Sequence, residues 1–242
     1  MKALILSAGL GTRLRPLTNK MPKALAQIGS KPLLEIHLDL LIKYKVSDIL
    51  INTHYLADQI NKFLDKYKLK NGKTNIKTTY EKILLGSAGT LKQNQDFFTD
   101  DENFIITYGD NLTNINYQKL IDYHKQKGGI CTVTAYYENH PETKGVITSD
   151  EKNKILSFIE KPKPNKITSN YANAGIYICN KKIFEYLNKV NKIPLDFGFD
   201  LFPALLKSDE KMYLYKMTEF LLDIGTPETY NIAQKKVKNL IF

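Results

Sequence analysis

The feature that most constrains this chain is its opening stretch, Lys2-Ala3-Leu4-Ile5-Leu6-Ser7-Ala8-Gly9-Leu10-Gly11-Thr12-Arg13-Leu14-Arg15-Pro16. The apolar run Ala3 to Leu6 reads as a short buried strand, and small residues and glycines follow it at once. Glycine turns the backbone tightly and lets it approach a ligand with no Cβ in the way. Successive N–H groups in such a turn form an anion-binding concavity. Of the 35 Lys and Arg residues, only Arg13 and Arg15 are arginine. In a chain that otherwise uses lysine, two guanidinium groups beside a glycine turn suit planar, bidentate phosphate recognition. The plain alternative is chance clustering of the two arginines.

Two familiar glycine loops do not fit. A dinucleotide loop needs a third glycine where this chain has Leu14, and the glycine-lysine run of a P-loop is absent. The longer string Gly9-Leu10-Gly11-Thr12-Arg13-Leu14-Arg15-Pro16-Leu17-Thr18, followed by Pro22-Lys23, resembles the signature of sugar-1-phosphate nucleotidyltransferases. Those enzymes join a nucleoside triphosphate to a sugar phosphate.

At 242 residues the chain can bury a substantial core, and its 43% hydrophobic content is ordinary for a soluble protein. No apolar run approaches the roughly 20 residues of a membrane span. The N-terminus enters a strand without an export signal, and Cys131 and Cys179 read as isolated buried thiols rather than a disulfide or a metal site. A cytoplasmic protein with no membrane partner is expected. The net charge of +10 raises nucleic acid as a partner. The lysines are spread along the whole chain, however, which predicts a solvated surface and no nucleic-acid partner.

Lys31-Pro32 predicts the start of a helix with Leu34, Leu38, Leu41 and Ile42 on one face. Asp48 to Ile51 reads as a second strand, Leu56, Ile60, Phe63 and Leu64 as a second helix face, and Asn71-Gly72 as a turn. Strand–helix–strand order argues for a parallel sheet with helices on its faces. Phe104 to Asn111 is an apolar strand ending in Gly109-Asp110, which puts Asp110 at the carboxyl edge where ligands bind, or makes it the cap of a turn. Further elements are expected as a helix from Asn116 to Lys127 closed by Gly128-Gly129, a strand from Cys131 to Tyr137, and a hairpin across Lys144–Thr148 and Ile155–Pro162. Helices near 181–189 and 199–206 and a strand near Tyr213 follow. Thr226-Pro227 starts a last helix as N-cap and first residue.

The resemblance assigns roles to several of these positions. Ala8, Gly9, Gly11, Thr12 and Arg13 would hold the triphosphate, and Lys23 would neutralise the reacting phosphates. Tyr80 to Leu91, containing Leu85-Gly86-Ser87-Ala88-Gly89, is similar to the family's base-binding segment, implying Gly86, Gly89 and Glu81 as nucleotide-binding residues. A helix N-terminus packed on the sheet is the structural alternative for that segment. Gly145 and the Glu160-Lys161-Pro162 strand end would meet the sugar phosphate, with Asn173 of Tyr171-Ala172-Asn173-Ala174-Gly175 facing the sugar. Asp110 and Asp223, the latter within Leu221-Leu222-Asp223-Ile224-Gly225-Thr226-Pro227, match the family's two metal-binding aspartates.

The implied fold is α/β, with a Rossmann-like, mixed, mainly parallel sheet flanked by helices and inserted sugar-binding strands. It would form one domain over 1–242, with a nucleotide-binding part near 1–110 and a sugar-phosphate part near 111–242. The resemblance is to the short form, without an added C-terminal β-helix. The catalytic set it implies is Arg13, Lys23, Asp110 and Lys161 with Mg²⁺, acting on a nucleoside triphosphate and a sugar 1-phosphate as a monomer or homodimer. The sugar phosphate's second pKa is about 6, so the nucleophile is already ionised and His37, His54, His124 and His140 need no catalytic role. GTP and a manno-hexose or heptose are the expected substrates, from likeness to short guanylyltransferases. Cytidylyl or thymidylyl transfer is the alternative within the class. A silent nucleotide-sugar sensor, a dehydrogenase and a nucleic-acid binder are the alternatives outside it.

Overall fold

A computed structural model describes residues 1–71 and 74–240. The chain folds as two compact units. One comprises Met1–Leu84, Thr107–Ile115 and the segment from Glu219 onward; the other comprises Leu85–Ile106 and Asn116–Thr218. The two units are interleaved along the chain. Within the first unit Leu221–Asp223 pairs antiparallel with Asn111–Thr113, which ties the late segment to the early one.

In the first unit the strand Lys2–Leu6 pairs parallel with Asp48–Thr53, which pairs parallel with Asn75–Tyr80. Parallel neighbours need crossover connections, and the helices Leu33–Lys43 and Ala57–Asn71 supply them. Ala3, Leu4, Ile5, Ile49 and Ile51 are wholly buried, the near-continuous apolar pattern of strands covered on both faces. Leu34, Leu38 and Leu41 are buried as expected, whereas Ile42 is only half-buried. Pro32 sits at the N-cap and not inside the first turn, because Lys31–Pro32 is engaged in a two-residue pairing with Gln27–Ile28. The Asn71-Gly72 turn lies outside the described residues. The last helix, Pro227–Lys236, opens on a capping box. The Thr226 hydroxyl accepts from the Thr229 amide at 3.2 Å, and the Thr229 hydroxyl accepts from the Thr226 amide at 3.1 Å.

The second unit carries a mixed arrangement. Cys131–Tyr137 pairs antiparallel with Tyr171–Asn180 and parallel with Met212–Lys216, and Gly145–Ser149 forms the expected hairpin with Ile155–Glu160. The helix Tyr117–Lys127 is capped by the Asn116 side chain and closed by left-handed Gly128. The helix expected near 181–189 is confined to Ile183–Leu187. The one expected near 199–206 begins earlier, as a π-helical turn over Phe197–Leu201 continuing into Phe202–Leu206. Tyr177, Phe197 and Phe202 hold that turn in place, with ring centroids between 5.2 and 5.5 Å apart.

The cysteines are free and buried, but they are not isolated. The strand register sets Cys179 opposite Cys131, with sulfurs 3.4 Å apart. Among the described residues no helix is long and apolar enough to cross a membrane. The chain adopts the α/β class expected from the sequence, with a parallel three-strand run and two short antiparallel pairs in the first unit, mixed pairing in the second, and helices against them.

Candidate active site

Asp110 and Asp223, far apart in sequence, are brought together by local pairing in the first unit. Asp223 stands opposite Asn111 in the short antiparallel ladder, and the Ile224 amide donates to the Asp110 carbonyl at 2.9 Å. Lys23 points its ammonium at both carboxylates, 2.8 Å from Asp110 Oδ2 and 3.8 Å from Asp223 Oδ1. Gly225 completes the arrangement. The place where a side chain there would begin lies 3.1 Å from Asp223 Oδ1 and 3.3 Å from Arg13 Nη2, so the guanidinium and the carboxylate converge on that glycine.

The glycine loop lies above these groups. Gly11 has φ +64°, its carbonyl accepts from Thr18 Oγ1 at 2.7 Å, and a side chain there would press on Thr18 and Lys23. Gly9 has open space around it. Among the described residues no hydrogen bond engages the amides of Gly9 or Leu10. Thr12 and Arg13 begin a single 3₁₀ turn, while Ala8 is buried at 5% exposure. Gly109 lets the aspartate strand close onto the loop's base: its amide donates to Leu6 O at 2.9 Å, and a Cβ would run into Ser7 Oγ. A cavity of about 100 Å³ opens here, lined among others by Ser7, Gly9, Lys23, Gly109 and Asp110. A larger one of about 530 Å³ lies elsewhere in the unit, against Ile28, Ile36 and Val237. The smaller is the functional candidate, because it opens beside the glycine loop where the Lys23 ammonium meets the Asp110 carboxylate.

His37 sits behind Asp110. Burial pushes its pKa down to about 4, against the opposing pull of the Asp110 charge and a hydrogen bond with the Asn111 backbone. The imidazole is therefore neutral at pH 7 and leaves the carboxylate's charge uncompensated from that side. Glu81 is buried at 2% exposure, and its Oε1 accepts from Asn52 Nδ2 at 2.8 Å.

In the second unit Gly86 is the N-cap of the helix Ser87–Gln93, with φ +80°. Its backbone lies against Leu195, whose carbonyl accepts from the amides of Ala88 (3.0 Å) and Gly89 (2.9 Å). Ser87 Oγ donates to Asp196 Oδ1 at 2.9 Å and accepts from the Phe197 amide at 3.1 Å. Glu160 lies between two glycines: a Cβ on Gly145 would meet Glu160 Oε2 at 2.7 Å, and one on Gly198 at 2.5 Å. Burial raises the Glu160 pKa; Lys161 opposes the rise, Asp196 adds to it and Lys144 opposes it again. Lys161 has φ +49°, and its ammonium lies 6.0 Å from the Phe199 ring centre. Asn173 is held within its own strand, donating to Tyr177 Oη at 2.8 Å and accepting from the Gly175 amide at 3.0 Å.

A glycine loop over a Lys–Asp–Asp cluster, an arginine beside it, and a chain that matches the nucleotidyl transferase family over residues 2–239 decide the family. The chain belongs to the nucleotidyl transferases. It is 36% identical over 230 residues to a Sulfolobus acidocaldarius protein named as a mannose-1-phosphate guanyltransferase, covering 95% of this chain and 61% of that protein. It is 32% identical over 261 residues to the UTP–glucose-1-phosphate uridylyltransferase of Synechocystis, covering 99% of this chain and 65% of that protein. Its fold is similar to that of a UDP-glucose pyrophosphorylase solved with UDP-glucose, with TM-score 0.86, 20% identity, and 98% of each chain covered. The chain spans 61–65% of the length of the curated relatives it matches.

In this nucleotidyl transferase, among the described residues, no group of three or more His, Cys, Asp or Glu gathers to hold a metal. Two carboxylates converging on one point suffice for Mg²⁺, which keeps waters and takes substrate phosphate oxygens for the rest of its shell. Asp110 and Asp223 fit that cation. Sequence reasoning missed Asn52 and Asp196. Each follows a short apolar run, and no pattern marks what its side chain will face.

Proposed function

We propose that this chain transfers a nucleoside monophosphate from a nucleoside triphosphate to a sugar 1-phosphate, releasing pyrophosphate. The observation that carries the reading is the meeting of Lys23, Asp110, Asp223 and Arg13 beneath a glycine loop with open amides. An oxygen of the sugar phosphate attacks the α-phosphorus, and the bond from that phosphorus to the pyrophosphate oxygen breaks. The nucleophile needs no general base at neutral pH, so catalysis is positioning plus charge neutralisation.

The loop amides and the Arg13 guanidinium bind the triphosphate oxygens, and Lys23 lowers the repulsion between the two polyanions. Asp110 and Asp223 hold Mg²⁺, which supplies further charge neutralisation when bound. Glu160, Lys161 and Asn173 are assigned to the sugar phosphate, the carboxylate accepting from sugar hydroxyls. The preferred substrates are GTP and a manno-configured hexose or heptose 1-phosphate, on likeness to guanylyltransferases. The Synechocystis relative shows that another base also occurs among relatives at this level of identity.

Pyrophosphate release with GTP, CTP, dTTP, UTP and ATP against mannose, heptose and glucose 1-phosphates tests both levels. A preference of at least about 10-fold in kcat/KM for one base is expected, since a base-reading site leaves polar groups unpaired with the wrong partner. A CTP, dTTP or UTP preference refutes the guanylyl assignment. Tight binding of a nucleotide sugar with no pyrophosphate release from any pair favours the sensor reading over catalysis.

The two substrates should also separate by mutation. Arg13→Ala is expected to weaken triphosphate use by roughly 10- to 100-fold, the worth of a charge-assisted hydrogen-bonded contact. Asn173→Ala is expected mainly to raise the KM for the sugar phosphate. Weakened triphosphate binding alone in Asn173→Ala would show that the assignment of these residues is wrong.

A further inference from the structure

Three parallel strands of the first unit end side by side, and a side-chain relay crosses their carboxyl ends. The ladder between the first two strands closes at the pair Leu6↔Asn52. Ser7, the first residue beyond it, donates its amide to Asn52 Oδ1 at 2.6 Å. Asn52 Nδ2 in turn donates to Glu81 Oε1 at 2.8 Å. Glu81 follows the third strand and is fixed by its own backbone. Its amide donates to Thr53 O at 2.8 Å, and His54 Nδ1 lies 2.8 Å from its carbonyl. Asn52 and Glu81 are 4% and 2% exposed, so neither offers its side chain to solvent.

We propose that Glu81 and Asn52 are positioning residues of the phosphate loop, acting through the Ser7 amide. The inference rests on the nucleotidyl-transfer reading for its kinetic consequences only. A carboxamide presents an acceptor on one side and a donor on the other, and the Glu81 oxygen facing it accepts from the Asn52 NH₂. Glu81 therefore compels the Asn52 NH₂ to face it and leaves Oδ1 for Ser7. Without that constraint a buried Asn could flip and present two donors to the Ser7 N–H, leaving it unpaired at a cost. The relay fixes the direction in which the chain leaves the strand, and thus where Ala8, Gly9 and Gly11 present their amides. This gives Glu81 a role distinct from contact with the base.

The experiment combines two independent readouts on Asn52→Ala, Glu81→Leu, Glu81→Gln and the double variant Asn52→Ala/Glu81→Leu. Amide exchange followed by mass spectrometry over the peptide containing Ser7 reads the loop directly, whether or not the chain turns over substrate. Steady-state kinetics read KM for the triphosphate against kcat and the preference among five bases. Expected are faster exchange at the loop and a triphosphate KM raised roughly 10-fold in Asn52→Ala and Glu81→Leu, as for a displaced binding group. The double variant should be little worse than either single one, because both cut one relay. Glu81→Gln keeps the shape and an acceptor, so it should recover much of the loss with base preference unchanged. Loop exchange equal to wild type in Asn52→Ala overturns the proposal. A change of base preference in Glu81→Gln also overturns it, and that variant keeps the side chain's volume if the others fail to fold. Absent turnover in wild type with faster loop exchange in Asn52→Ala would instead refute nucleotidyl transfer and keep the relay.

Discussion

Replacing Asp110 or Asp223 by Asn is expected to cut turnover by roughly 10²-fold or more while the fold survives, the scale seen when one preorganised charge-stabilising group is lost. Asn has nearly the shape of Asp and can still accept from Lys23, so the geometry is largely kept. What is lost is a negative charge, and with it half of the anionic pair that would hold a hard cation. The fold should tolerate the change because the Lys23–Asp110 pair is partly open, the Asp110 side chain being 36% exposed. An ion pair so placed contributes about 1 kcal/mol at most. The two aspartates serve one function, so the double variant should be scarcely worse than either single one. Turnover at saturating Mg²⁺, with a thermal melt of each variant, is the measurement. Unchanged turnover in both single variants would remove the metal assignment. Mg²⁺ should also raise the melting temperature of the wild type and fail to do so in the double variant.

Much of this site was legible because its residues lie at places where local pattern and chemistry coincide. Asp110 ends an apolar strand after a glycine, and Gly11 had to be glycine for a left-handed turn. Lys23 was marked by the resemblance alone, and its ion pairing had no local signal. The short ladder that sets Asp223 against Asn111 depends on register between distant segments, and register follows from packing partners that no local pattern names. The cysteines illustrate the same limit: each strand was evident, but their facing one another was not. Asn52 and Glu81 were harder still. An Asn within a strand reads as a break in the apolar pattern, and only the parallel alignment of three strand ends turns it into a link.

The interleaving of the two units had no signal in composition, since segments 107–115 and 219–242 look like any other strand and helix. Gly86 and Gly89 show where resemblance and geometry carry different information. The motif marks both as places of close approach without saying what approaches. In the structure the group lying against them is the Leu195 backbone.

That contact gives the second large expected effect. Gly86→Ala should destabilise the second unit strongly. At φ +80° and ψ 163° the backbone occupies a region open almost only to glycine, and placing a Cβ there costs on the order of 1–3 kcal/mol. The new methyl would also sit on the Leu195 carbonyl oxygen, with Leu195 N at 2.8 Å and Leu195 C at 2.9 Å. Those are backbone atoms and cannot rotate away. Moving them would disturb the Leu195 amide's bond to Leu85 O and the two amide bonds that Leu195 O accepts from Ala88 and Gly89. Together a loss of about 3 kcal/mol or more is expected, which for a chain of this size lowers the melting temperature by roughly 6–12 °C. Gly89→Ala is the control. Its nearest neighbour would be Leu85 Cβ at 3.2 Å, a contact relieved by a shift of about a few tenths of an ångström, and it lies within the helix Ser87–Gln93, where alanine is favoured. Its melting temperature should stay near that of the wild type. Thermal melts of the two variants side by side separate the readings: equal melting temperatures would mean that Leu195 packing does not require Gly86. A Gly89→Ala variant that melts normally but uses triphosphate poorly would assign Gly89 to the ligand and not to the fold.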